Sequence, residues 1–254
     1  MASNSPKRNE RRNPLRRILE WIGGHELSVY LALLAIGLGV WGFIAIADEV
    51  VEGDTARFDE WAVRSLRQAD NPKVLIGPRW MNEVARDMTA LGGVAFLSLL
   101  TATVVGFLWL RKMYGAATLV IAATLGGLTV STLLKWSFDR PRPNLVPQLS
   151  SVYTSSFPSG HSMLSAAVFL TLGTLLGRFV QERKLKAYFL IVALTLTTLV
   201  GVSRVYLGVH YPTDVLAGWS AGMAWAVICW LVARLLQQRG AVEQEIAAVP
   251  SDGT

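Results

Sequence analysis

Three short polar clusters interrupt an otherwise apolar sequence: KWSFDRPRPN at 135–144, PSGH at 158–161 and SRVYLGVHYPTD at 203–214. They hold two of the chain's three histidines, His161 and His210, with Lys135, Arg142, Arg204 and Asp214. Each cluster alone has a plain explanation. Lys135 and Arg142 read as cations snorkelling to a membrane interface, Pro-Ser-Gly as a turn with a helix cap, and a histidine near a membrane edge as an interfacial polar residue. Taken together they suggest a ligand. Three cations without matching carboxylates repel one another unless an anion lies between them. Arginine forks match phosphate oxygens and a lysine adds a point charge. A helix starting at PSGH offers free N–H groups and the positive end of its dipole, and Gly160 lets the backbone come close to an anion.

The histidines add chemistry to binding. His210 and Asp214 are four residues apart, with Pro212 opening a helix between them. A carboxylate accepting from one imidazole nitrogen fixes the tautomer and leaves the other nitrogen to attack phosphorus. His161 is then the acid that protonates the departing oxygen and the base that later activates water. The cations stabilise charge on the equatorial oxygens. No metal and no cofactor is required by this scheme, since the cations take the part magnesium plays elsewhere.

The elements that must hold these residues are apolar runs. The chain has 254 residues, of which 52% are hydrophobic and 17% charged, against about 25% charged in a typical soluble domain. Charge-free stretches run from Leu27 to Ala47, Met88 to Leu110, Met113 to Leu134, Ser162 to Gly177, Ala187 to Ser203 and Val215 to Ala233. Crossing a bilayer takes about 20 helical residues, range about 17–25. Five runs meet this, and the one after His161 does so if it continues past Arg178. The fold expected is an all-α, polytopic membrane protein, a bundle of six transmembrane helices. Residues 1–26 form a basic cytoplasmic leader, 27–236 the six-span domain and 237–254 a short cytoplasmic tail. The first run is longer than a signal-peptide core of about 7–15 residues and reads as a retained span. The single cysteine, Cys229, lies within the last run, excludes an internal disulfide and reads as packing.

Basic residues near span ends favour the cytoplasmic side. The leader carries Lys7, Arg8, Arg11, Arg12, Arg16 and Arg17. With six spans, Arg111-Lys112, the loop with Arg178, Arg183, Lys184 and Lys186, and the C-terminus fall on that same side. Residues 48–87, 135–161 and 204–214 then face outward, all three polar clusters among them. The net charge of +6 is accounted for by topology and anionic-lipid contact, without nucleic acid. In the first outside loop Phe58, Trp61, Ala62 and Leu66, then Trp80, Val84, Met88 and Leu91, recur at helical spacing. Two short amphipathic helices along the outer interface are expected, the second opening at the Asn71-Pro72 cap and first-turn proline.

Lys135 with Arg142-Pro143, then Pro158-Ser159-Gly160-His161, then Ser203-Arg204 with His210 and Asp214, resembles the signature of the type-2 phosphatidic acid phosphatases, a superfamily that includes the vanadium haloperoxidases. The six-residue gap from Lys135 selects Arg142 over Arg140. The resemblance implies a phosphohistidine on His210, Asp214 as its partner, His161 as acid and base, and phosphate contacts from Lys135, Arg142, Ser159, Gly160 and Arg204. It implies an integral membrane phosphatase acting on phosphate monoester or pyrophosphate headgroups of lipids. The location it suggests is a bacterial-type inner membrane, with both termini cytoplasmic and the site on the periplasmic side. Its partners are the phosphorylated lipid substrate and surrounding membrane lipids, and the sequence points to no obligate protein partner. A phosphotransferase using the same intermediate is the alternative. A transporter fits less well, because transporters keep ionisable groups near the midplane and here they gather at one rim. Haloperoxidases are soluble.

Overall fold

The computed structural model describes residues 27–72, 74–144 and 155–238. Residues 1–26, 73, 145–154 and 239–254 lie outside these residues, and with them the leader and most of the tail read from the sequence. Among the described residues the regular structure is helical, with one isolated antiparallel bridge, Arg67 with Leu75. The helices are α1 Leu27–Glu52, α2 Ala56–Ser65, α3 Arg79–Ala90, α4 Val94–Leu110, α5 Tyr114–Ile121, α6 Gly127–Ser137, α7 Gly160–Arg178, α8 Arg183–Tyr206 and α9 Pro212–Gln238. A π turn, Ala122–Gly126, joins α5 to α6, so these two form one span of 24 residues.

Five helices are long and apolar enough to cross a membrane. The sixth crossing exists if α3 and α4, which meet at a 50° bend, count as one broken span. The apolar run from Met88 to Leu110 is therefore not one straight helix. The chain breaks at Leu91-Gly92-Gly93, where Gly92 and Gly93 donate to Thr89 and Ala90. The expected opening of the second short helix at Asn71-Pro72 is also corrected. Those residues lie in a tight turn, with Gln68 N–H donating to Val74 and Ile76 N–H to Leu66, and α3 starts only after Pro78. Both short helices do turn apolar side chains outward: Phe58, Trp61, Trp80 and Val84 are exposed, as helices lying in an interface require.

The centre of the bundle is α7, whose buried residues mix large apolar side chains such as Met163, Leu164 and Phe169 with the small Ser162, Ser165, Ala166, Ala167 and Gly173. It packs against α8 and α9, while α1 covers the other side of α9. Small residues explain the close approach, which in a membrane is driven by packing of backbones rather than by water. A Cβ on Gly222 would come within 2.3 Å of the Met163 carbonyl, and one on Gly218 within 2.6 Å of the Ser159 carbonyl. The start of α7 is thereby held beside the start of α9. Leu97, Leu164, Val168, Val200 and Ala226 form a core shared by α4, α7, α8 and α9.

Candidate active site

The helix starts are built by their own sequences. Ser159 caps α7, its hydroxyl accepting from Ser162 N–H (3.4 Å) and Ser162 Oγ (2.9 Å). At α9, Pro212 occupies the first position, where its missing N–H costs nothing. Asp214, two residues on, reaches back to accept from Tyr211 N–H at 2.9 Å, the acidic half of a capping box. The oxygen that closes this cap, Oδ2, also faces His210 Nδ1 at 3.4 Å. Helix-start chemistry thus sets the carboxylate that orients the histidine. The backbone ties the two starts together, Ser159 N–H donating to the Asp214 carbonyl at 2.9 Å.

His210 is buried, and its Nε2 looks toward Arg142 Nη1 at 3.3 Å; the same guanidinium nitrogen donates to the Val209 carbonyl at 3.2 Å. Burial pushes the imidazole down to about 3, with Arg204 and Arg142 adding to the effect against the hydrogen bond and charge of Asp214. This favours the neutral ring, and a carboxylate facing Nδ1 favours the tautomer that carries the proton there and leaves the lone pair on Nε2.

The remaining residues gather at the same end of the bundle. Lys135, in the last turn of α6, passes over Gly160, where a Cβ would lie 3.2 Å from Lys135 Cε. Its Nζ donates to the Ser155 carbonyl at 2.9 Å. Arg204, in the last turn of α8, donates from Nη1 to Thr89 Oγ1 at 3.0 Å, and its buried Nε has no hydrogen-bond partner. His161, second residue of α7, lies against the α3–α4 bend, 3.9 Å from where a Cβ on Gly93 would sit. It is within electrostatic reach of Arg204, His210, Lys135 and Arg142. The structure therefore brings the eight sequence-predicted residues, from four elements and their loops, to one end of the bundle.

Three residues around the site have no role in the sequence reading, although Arg140 competes there with Arg142. Arg140 donates from Nη1 to Asp214 Oδ1 (2.6 Å) and Thr213 Oγ1 (2.8 Å), and from Nη2 to Asp59 Oδ2 (2.6 Å). It lies over the Tyr211 ring at 4.6 Å. Burial disfavours its charge, but Asp214 and Asp59 outweigh that and hold its pKa above the usual value. Asp59, on α2 and fully buried, also accepts from Thr213 N–H at 3.2 Å and Thr213 Oγ at 2.6 Å. It caps α9 from 154 residues away. Thr89, the third, anchors Arg204. The loops bearing Arg140 and Ser155 are stitched to each other, Ser156 N–H donating to the Arg140 carbonyl at 2.9 Å. Phe157 packs there against Phe138 and Phe43, with ring centroids 4.8 and 5.8 Å away.

Residues 115–237 match the family model of the PAP2 superfamily. The phosphatidylglycerophosphatase B of Bacillus subtilis is 37% identical over 167 residues, covering 64% of this chain and 80% of that one. The chain belongs to the PAP2 superfamily. The crystal structure of a transmembrane PAP2-type phosphatidylglycerolphosphate phosphatase from B. subtilis superposes with a TM-score of 0.64 at 29% identity, over 83% of this chain and 97% of that one. An undecaprenyl-diphosphatase of Sulfolobus acidocaldarius is 33% identical over 106 residues, 41% of this chain and 46% of its own length. As a PAP2 protein with these relatives, the chain is a multi-pass membrane phosphatase acting on lipids.

Proposed function

We propose that this PAP2 phosphatase removes a terminal phosphate from a lipid headgroup by way of a phosphohistidine on His210. The observation that carries the reading is the two-sided setting of that ring, Nδ1 toward Asp214 and Nε2 toward Arg142. A 3.4 Å approach is long for a hydrogen bond, as catalytic contacts often are before substrate binds.

In the first step Nε2 forms a bond to phosphorus while the bond from phosphorus to the lipid oxygen breaks. His161 gives its proton to that oxygen. Lys135, Arg142 and Arg204 hold the equatorial oxygens, joined by the N–H groups at the start of α7, and the Ser159 hydroxyl has its own proton left to donate. In the second step His161 takes a proton from water, whose oxygen displaces Nε2 and releases inorganic phosphate. Asp214 keeps the Nδ1 proton throughout and offsets positive charge on the ring. Arg140 and Asp59 keep Asp214 in place. Because the three cations neutralise the phosphate, no metal is needed.

The site faces the periplasmic side of a bacterial-type inner membrane, both termini are cytoplasmic, and the division at 27 and 236 separates a basic leader and a short tail from the membrane domain. The basic loops of the sequence support this threading. The substrate is a phosphatidylglycerol phosphate or undecaprenyl pyrophosphate type of lipid, in keeping with what the relatives are named for. Phosphate release by the purified protein from phosphatidylglycerol phosphate, undecaprenyl pyrophosphate, phosphatidate and lipid A tests it. Release from at least one, unchanged by acceptor lipid, is expected. Transfer of the phosphate to an acceptor lipid in place of release would make the protein a phosphotransferase.

A further inference from the structure

We infer that the membrane surface is itself a partner of the active site: Phe58 and Trp61 seat α2 in the outer leaflet, and that seating holds Asp59 against the Arg140–Asp214 pair. On the reading of His210 and Asp214 given above, this makes the bilayer a regulator of the same site.

At 3.6 residues per turn, α2 presents three faces about a third of a turn apart. The first, Asp59 and Val63, is buried, with the Asp59 carboxylate accepting from Thr213 at the start of α9. The second, Glu60 and Arg64, is exposed and carries its own ion pair at 3.5 Å. The third holds Phe58 and Trp61, 51% and 65% exposed, with ring centroids 6.2 Å apart. Bracing α9 uses the first face and contact with water the second. Two uncovered aromatic rings side by side serve neither, and such an apolar patch rimmed by polar residues marks a contact surface.

The start of α2 says what covers that surface. α1 is long and apolar enough to cross a membrane, and its Trp41, Ile44 and Val51 are exposed, as lipid-facing side chains are. It closes on Gly53 (φ 87°), where Gly53 and Asp54 N–H both donate to the Glu49 carbonyl, a glycine stop of the common kind. α1 ends at Glu52 and α2 begins at Ala56, so the two ends lie within about 14 Å of each other even on an extended chain. The aromatic face thus continues the lipid-facing surface of α1 at the level where tryptophan settles, between acyl chains and headgroups. The polar face keeps its ion pair in water, as in other interfacial helices.

Asp59 stands between Phe58 and Trp61, so α2 cannot rise or roll without moving this carboxylate. Asp59 Oδ2 lies 2.6 Å from Arg140 Nη2, and Arg140 Nη1 lies 2.6 Å from Asp214 Oδ1. A displacement of about 1 Å ends a hydrogen bond of this length. Lipid that grips the aromatic face fixes the depth of α2, and with it the carboxylate that faces His210.

The test uses the full chain in nanodiscs of dioleoyl-phosphatidylcholine, with nitrophenyl phosphate as a substrate that carries no lipid chain. Trp61 emission, taken as the difference between the native chain and Trp61→Phe, should be quenched by phosphatidylcholine brominated near the headgroup end of its chains. Phe58→Ser/Trp61→Ser should lower kcat about tenfold, as Asp59→Asn should, with KM changed less than about twofold. Phe58→Leu/Trp61→Phe, which keeps the face apolar, should stay within about twofold of the native rate. With Asp59 already Asn, the serine pair should cost less than about twofold, since both changes act through one network. Absence of quenching, an undiminished kcat in the serine variant, or an equal loss in the Asp59→Asn background would each overturn the inference. So would Trp61 emission that responds to protein concentration and not to brominated lipid, which would put a second copy of the chain on this face. Turnover in His210→Ala tests the catalytic reading alone, so the two can fail separately.

Discussion

Asp59 and Arg140, 81 residues apart in sequence, meet at 2.6 Å, and the other arm of the same guanidinium lies 2.6 Å from Asp214. The short helix α2 is thereby wired into the carboxylate that faces His210. Arg140 reaches the reaction through Asp214, whereas Arg142 faces the imidazole itself. Arg140→Met should therefore lower kcat by roughly 10²-fold, the range of a positioned acid–base group, while KM changes less than about threefold. It should also cost roughly 3–5 kcal/mol of stability, because two carboxylates lose their buried partner. Steady-state kinetics and thermal melting in detergent measure the two effects. A KM increase without a kcat loss would make Arg140 a substrate-binding group.

Asp59→Asn keeps the shape of the side chain and removes its charge. If Asp59 works through Arg140 and Asp214, it should slow turnover about tenfold in the native background and less than twofold when Asp214 is already Asn. Residues in one network couple in this way. Equal losses in both backgrounds would mean that Asp59 supports the fold alone.

Thr89 ties Arg204 to the end of α3. Thr89→Val removes a hydrogen bond to a charged group, worth about 1.5–3 kcal/mol, and should raise KM about tenfold with little change in kcat. The measurement is a substrate titration of the purified variant, and an unchanged KM would contradict the assignment.

Burial holds the His210 imidazole down at about 3 in the folded chain, against about 6.5 when unfolded. Below pH 6.5 the unfolded chain binds a proton that the folded one refuses, so folding stability is fully present above that pH. It is lost as pH falls toward 3. Asp214, Arg204, Arg142 and His161 act on this ring, and the carboxylate only partly offsets burial and the cations. Thermal melting between pH 7.5 and pH 4 should show a declining midpoint that is flatter in His210→Gln. Identical slopes would assign the loss to other groups.

The sequence made the spans legible because charge-free runs of this length have few other uses, and the motif residues legible because they stand at helix ends or in the loops between them. The bend at Gly92-Gly93 was not. Composition sees one apolar run from Met88 on, while the backbone turns where the two glycines meet His161 and Val200. Asn71-Pro72 carried a helix-start signal that the local Arg67–Leu75 bridge overrode. Asp59 was hidden for a different reason. It stands in an acidic stretch with Asp48, Glu49, Glu52, Asp54 and Glu60, and nothing local marks it as the one whose partners arrive from α9 and the Arg140 loop. Arg140 lay in view, but spacing favoured Arg142 and offered Arg140 no task of its own.

Charge neutralisation by Lys135, Arg142 and Arg204 predicts activity unchanged in excess EDTA and inhibition by vanadate, which mimics five-coordinate phosphorus. Loss in EDTA with recovery on adding magnesium would contradict this part of the mechanism. Threading is tested by single cysteines at the exposed positions Asp54 and Lys112. The first should react with an impermeant reagent in intact cells and the second only after lysis, and the reverse pattern would invert the topology.

The central claim is a covalent bond between phosphorus and His210, and trapping it is the most direct measurement. With a nitrophenyl phosphate, departure needs little help from an acid, while hydrolysis of the intermediate still needs a base. His161→Ala should therefore accumulate protein-bound phosphate that is acid-labile, base-stable and located on residue 210 by mass spectrometry of the quenched protein. His210→Ala should accumulate none. Phosphate trapped on residue 161 in His210→Ala, with none in His161→Ala, would reverse the two roles and contradict the account.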